Sequence, residues 1–116
     1  MTPKLVLGLT NYMGLMTKEP SSPQRKVLSD ETVLNLKNML SAVGESYSLT
    51  DASGKTGTAQ SGIYKNKKEV LRTWFAGYYP SENPEYIVVI MNEDGSSGTA
   101  DCVPVFRSLV KGIEGK

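Results

Sequence analysis

Histidine does not occur anywhere in this chain. Its absence excludes a Ser-His-Asp triad, a Cys-His pair and any histidine-based metal site built from these residues alone. Cysteine occurs once, as Cys102, so an internal disulfide and a C-x-x-C motif are excluded as well. Cys102 stands in an apolar run, where a buried, inert thiol is the expected state. No stretch approaches the length of a membrane span, and Met1–Gly8 has neither the charged start nor the apolar core of a secretion signal. Excess charge is lacking too. A net charge of +1 sets up too weak a field to argue for nucleic acid or an anionic membrane as a partner. No basic run carries interleaved aromatics, and Lys65, Lys67 and Lys68 read as a solvated loop.

What is present has the makeup of one small folded domain. A chain of 116 residues can bury a core, with less margin than a larger one. Its 39% hydrophobic and 22% charged residues exclude wholesale disorder. Residues 1–28 read as a strand pair and a linker. Lys4–Leu9 and Tyr12–Met16 are apolar runs joined near Thr10-Asn11, and the prolines of Glu19-Pro20-Ser21-Ser22-Pro23 prevent regular structure after them.

Residues 29–116 read as a helix, three strands and a closing helix. Ser29 is the N-cap, and Asp30 and Glu31 favour the positive end of the helix. Val33, Leu36, Leu40 and Val43 recur every three or four residues on one face, and Gly44 reads as the stop. A polar connection (Glu45–Ser53) leads to strands over Lys55–Ser61, Leu71–Tyr79 and Tyr86–Asn92, the last two joined at Pro80-Ser81-Glu82-Asn83-Pro84. Ile87–Met91 is continuously apolar and reads as covered on both faces. Gly95-Ser96-Ser97-Gly98 reads as a flexible loop. The last helix opens near Asp101–Pro104 and places Phe106, Leu109, Val110 and Ile113 on one stripe. The order predicts an α+β fold: a small antiparallel sheet with helices packed on one face.

One segment carries chemistry: Gly54-Lys55-Thr56-Gly57-Thr58-Ala59-Gln60. On a strand lining a cleft, Lys55 supplies a fixed positive charge. Thr56 and Thr58 alternate with Gly57, so both hydroxyls share a face and can donate to a carboxylate. Gly57 lets a ligand approach the backbone, and an edge strand offers free N–H and C=O groups to an extended peptide. A phosphate-binding loop is the rival reading. It requires a glycine at position 49, which is Leu49, and a helix after the lysine, where Gly57 and a strand pattern follow.

Lys-Thr-Gly resembles the third signature of penicillin-binding proteins and serine β-lactamases, which follows S-x-x-K and S-x-N. Thr73-Trp74-Phe75-Ala76-Gly77-Tyr78-Tyr79-Pro80 and Tyr86-Ile87-Val88-Val89-Ile90 resemble the strand pair after that motif. Val103-Pro104-Val105-Phe106 resembles the family's closing helix, and Val27-Leu28-Ser29 the lead-in to the helix before the motif. The Lys-Thr-Gly-Thr-Ala-Gln form and the Phe-x-Gly-Tyr strand are closer to a cell-wall transpeptidase than to a β-lactamase.

The resemblance implies a C-terminal part, over 1–116, of a penicillin-binding/β-lactamase-like transpeptidase fold, and acyl transfer as its chemistry. In that family a serine attacks a D-Ala-D-Ala stem peptide of peptidoglycan, and β-lactams acylate the same serine. No metal or organic cofactor is implied. Carried over, Lys55 positions the S-x-N serine and attracts the substrate carboxylate. Thr56 and Thr58 bind that carboxylate, Gly57 keeps the strand open, and the Thr58 backbone N–H forms half of an oxyanion hole.

Neither S-x-x-K nor S-x-N occurs in Met1–Gly54. Ser108-Leu109-Val110-Lys111 and Ser81-Glu82-Asn83 match them later, but in the final helix and a hairpin turn, the wrong places for a nucleophile. The resemblance therefore implies an enzyme as parent, working outside a bacterial cytoplasmic membrane, and a chain that is inert alone without the rest of the domain. Apolar surface left uncovered by the absent part predicts a homo-oligomer. The alternative is a stand-alone, non-catalytic module that binds a peptide along its edge strand.

Overall fold

The computed structural model describes residues 6–18 and 25–115. The start of the first apolar run and the proline-containing linker lie outside the described residues. Within them, β1 (Gly8–Thr10) and β2 (Met16–Lys18) form the predicted antiparallel pair, but the second strand begins four residues later than the apolar pattern suggests. Asn11 is the reason. Its side-chain oxygen accepts from the N–H groups of Met13 and Leu15, at 2.9 and 3.0 Å, which holds the residues after it in a turn.

Ser29 opens α1 (Asp30–Ser46) from an extended backbone, its hydroxyl accepting from the Thr32 N–H at 3.1 Å. Gly44, which reads as a stop, lies inside the helix, and the chain leaves it at Tyr47. The glycine answers to a contact instead: a Cβ there would stand 2.3 Å from the carbonyl oxygen of Ala52, just before β3 (Ser53–Lys65). Ser41 and Ser53 share a 2.9 Å hydrogen bond at the same approach. Half of the predicted apolar stripe stays in the open, with Val33 and Leu36 exposed and Leu40 and Val43 half-buried.

β3, β4 (Lys68–Tyr79) and β5 (Tyr86–Gly95) make one antiparallel sheet in that order. β3 is much longer than its Thr-rich centre, because β4 pairs with it from Ser53↔Tyr78 to Lys65↔Lys68. Asn66 and Lys67, at φ 50° and 65°, make a two-residue turn of the kind that matches strand twist. The expected solvated loop is therefore a tight hairpin with Lys65 and Lys68 paired. A bulge at Ser61–Ile63 interrupts the ladder, with Gly62 at φ 70° and its N–H donating to Glu69 at 3.0 Å.

Alternation along β4 decides where the core sits. Thr73, Phe75 and Gly77 are buried, whereas Arg72, Trp74 and Ala76 face outward. After β5, α2 (Gly98–Asp101) and α3 (Val103–Glu114) fold back over the buried side. Phe75 and Phe106 are fully buried, with ring centroids 4.7 Å apart, joined by Leu49, Ala52, Cys102, Val103 and Val110. Each large side chain buried this way contributes roughly 1.5–3 kcal/mol. Of the four residues on the predicted α3 stripe, Phe106 and Val110 are buried, Ile113 is half-buried and Leu109 is exposed.

β5 corrects another expectation. Val88 and Ile90 pack on the core, but Ile87 is 74% and Val89 60% exposed. The run is apolar on both sides, yet only one side is covered among the described residues. The Gly95–Gly98 segment is not loose either. The Asp101 carboxylate accepts from the N–H groups of Ser96 and Ser97, at 2.7 and 2.9 Å, and from the Thr73 hydroxyl at 3.0 Å.

Candidate functional site

Strand register sorts the motif residues onto two sides. Thr56 and Thr58 lie opposite Phe75 and Thr73, on the side that α2 and α3 cover, while Lys55 and Gly57 lie opposite Ala76 and Trp74. The two hydroxyl-bearing residues therefore share a face. Among the described residues β3 pairs with β4 only, so its outer edge has no strand partner there.

Lys55 is exposed, and its ammonium donates to the Thr56 carbonyl at 2.9 Å and approaches the Thr56 hydroxyl at 3.4 Å. Thr56 is half-buried and shares a 3.0 Å hydrogen bond with the phenol of Tyr47. Thr58 is exposed two residues on.

Tyr47 was invisible as a site residue in the sequence, because its contact with Thr56 crosses a turn held by left-handed Ser48 and Asp51. Three elements fix it. It caps the end of α1, its ring meets Phe75 edge-on at 6.5 Å, and its carbonyl accepts from Arg107 of α3 at 2.7 Å. Hydrogen bonds from Thr56 and Thr99, with the Lys55 charge adding a smaller effect, hold the phenol below its ordinary range despite burial.

Gly57 and Gly98 show two different uses of glycine. A Cβ on Gly57 would meet only the Trp74 Cβ, at an ordinary 3.5 Å, and the backbone is not left-handed. Nothing among the described residues demands a glycine there. A Cβ on Gly98 would strike the Trp74 carbonyl at 2.7 Å and the Thr56 Cβ at 2.9 Å. The start of α2 thus rests directly on the motif strand. Asp101 holds it there. Burial pushes the Asp101 carboxyl up, but the hydrogen bonds from Ser96, Thr73 and Ser97 outweigh this and lower it.

The serine matches found later in the sequence do not join this group. Ser108 is exposed in the middle of α3 and Lys111 in its last turn, and the Ser81 hydroxyl is tied to Ser53 at 2.9 Å. A cavity of about 270 Å³ lies elsewhere, between Leu49, Ala52, Arg107, Val110 and Glu114, and none of Lys55–Thr58 lines it.

Comparison with known proteins agrees with the motif. The family model for the penicillin binding protein transpeptidase domain matches residues 1–111. Penicillin-binding protein PbpB of Mycobacterium tuberculosis is 27% identical over 132 residues, which cover 92% of this chain and 19% of that protein. The crystal structure of the D,D-transpeptidase domain of a peptidoglycan glycosyltransferase from Eggerthella lenta superposes with a TM-score of 0.54 at 24% identity. That match covers 92% of this chain and 27% of the solved one, and it shows likeness of fold.

Proposed function

Because the chain belongs to the penicillin binding protein transpeptidase domain family, we propose that it supplies the carboxylate-binding strand and half the oxyanion hole of a peptidoglycan D,D-transpeptidase. The observation that carries this reading is the motif on an open edge strand, with a glycine at position 57 that the fold itself does not require. In the reaction, the Lys55 ammonium draws in the terminal carboxylate of the stem peptide or of a β-lactam. The hydroxyls of Thr56 and Thr58 donate to it. The Thr58 N–H faces the oxygen that becomes negative when a serine attacks the neighbouring carbonyl. That serine and its base come from the rest of the domain, so this chain alone does not run acyl transfer.

The whole protein, on this reading, works on the outer side of a bacterial cytoplasmic membrane. No helix among the described residues is long and apolar enough to cross one. The exposed apolar side of β5 and the stripe on α1 are surfaces for the rest of the domain. In isolation they drive self-association, and a monomeric light-scattering profile at high concentration would count against this.

The test is Lys55→Ala in the complete protein. We expect labelling by a fluorescent penicillin to be abolished while the melting temperature holds, because among the described residues the exposed Lys55 side chain hydrogen-bonds only to its neighbour Thr56. A wild-type labelling rate would refute the assignment. The open edge of β3 also supports a second reading, a non-catalytic module binding an extended peptide. Shifts of β3 amides on adding a D-Ala-D-Ala peptide to this chain, with no labelling in the complete protein, would favour it.

A further inference from the structure

Past the motif, β3 stops being a regular edge. Its ladder with β4 runs unbroken from Ser53 to Gln60 and resumes at Tyr64, with Ser61–Ile63 bulged out between them. Two N–H groups of the bulge are already used. The Gly62 N–H donates to Glu69 at 3.0 Å and the Ile63 N–H to the Ser61 hydroxyl at 3.1 Å, while that hydroxyl donates to the Val70 carbonyl at 2.5 Å. These bonds hold the bulge in one shape and leave two large side chains in the open, Ile63 at 52% and Tyr64 at 68% exposure. The charges nearest in the ladder have partners of their own: Lys65 pairs with Asp94, and Glu69 accepts from Gly62. Lys67 lies in the turn beyond, and Lys68 opposite Lys65.

The register also gives a distance. Thr58 lies opposite Thr73 and Tyr64 opposite Glu69, four residues apart along β4, or about 13 Å. Because that offset is even, Tyr64 falls on the same side of the sheet as Thr56 and Thr58. A peptide extended along the outer edge, with its carboxylate at Lys55 and its reacting carbonyl at Thr58, runs on toward Tyr64. The fourth residue beyond that carbonyl comes level with Tyr64 and points its side chain to the same side.

We propose that Ile63 and Tyr64 form a distal subsite of the motif strand, which takes an apolar side chain about four residues from the carbonyl held at Thr58. This deepens the proposed role of the strand and rests on it. Recognition changes in kind at Gln60: hydrogen bonds to the β3 backbone up to that point, side-chain contact after it.

The experiment uses penicillins whose side-chain amide carries a peptide arm of two or of four residues, each arm ending in leucine, with benzylpenicillin as reference. In the complete protein the four-residue arm should raise the acylation rate about three- to tenfold over the two-residue arm, the worth of covering roughly 30–50 Å² of apolar surface. In Tyr64→Ala the two agents should acylate within about 1.5-fold of each other. No gain from the longer arm in the wild type, or a gain that survives Tyr64→Ala, would overturn the inference. A fall of several degrees in the melting temperature of Tyr64→Ala would also overturn it, because the rest of the domain would then cover this side chain. A wild-type protein that benzylpenicillin itself fails to acylate would instead overturn the transpeptidase reading.

Discussion

Replacing Gly57 with alanine separates what the fold asks of β3 from what a ligand asks. The added Cβ would meet one atom, the Trp74 Cβ, at 3.5 Å, which is normal van der Waals contact. Glycine in a strand costs roughly 0.5–1 kcal/mol relative to alanine, through the freedom it loses on folding. Gly57→Ala should therefore leave this chain as stable as before, or raise its stability by up to about 1 kcal/mol. For a chain of this size that is a rise of roughly 3–6 °C in melting temperature. Gly54, three residues earlier, is the control. A Cβ there would lie 2.5 Å from the Phe75 ring and 2.7 Å from the Ala76 carbonyl, so Gly54→Ala should destabilise by about 1–3 kcal/mol. Thermal melts followed by far-ultraviolet circular dichroism read both. In the complete protein, Gly57→Ala should slow acylation by a fluorescent penicillin about five- to 150-fold, if the intruding methyl costs about 1–3 kcal/mol at the ligand. A Gly57→Ala chain that melts as low as Gly54→Ala would refute the argument that only an outside group needs this glycine. An unchanged acylation rate would refute the ligand's approach to it.

Phe106→Ala empties the centre of the core beside Phe75 and should cost about 3–5 kcal/mol in urea unfolding; a loss under about 1 kcal/mol would mean that α3 does not hold the sheet. The Asp101 carboxyl, lowered from its ordinary 3.8, stabilises the fold above that pH and loses the contribution as pH falls through the folded value. Acid unfolding should consequently show a limb that Asp101→Asn removes, and identical acid curves for the two proteins would refute the role given to this network.

The parts legible in the sequence are those written within a few neighbouring residues. The motif, the Ser29 cap, the aromatic and β-branched run of β4 and the position of α3 all have local signals, and each is found in the structure. The missed parts depend on contacts between distant segments. Gly44 looks like a stop because nothing nearby reveals that Ala52 will press against it. The Asn66-Lys67 turn lacks the glycine that usually marks its type. Ile87–Met91 shows that two faces are apolar but not which of them this chain covers. The Tyr47–Thr56 bond joins two elements that no periodicity relates.

Gly98 resting on Thr56 and Gly57 has a consequence for how the protein is made. The motif strand leaves the ribosome well before the segment that braces it, by about two to eight seconds at ordinary rates of synthesis. Through that interval Lys55, Thr56 and Thr58 exist as chemistry without geometry. Only when α2 settles on the strand and α3 closes over Phe75 does Thr56 gain the packing it has in the finished fold. On the proposed reading, competence to bind a carboxylate arrives late in biosynthesis, and a nascent chain halted before Gly98 carries the Lys-Thr-Gly motif without the segment that braces it.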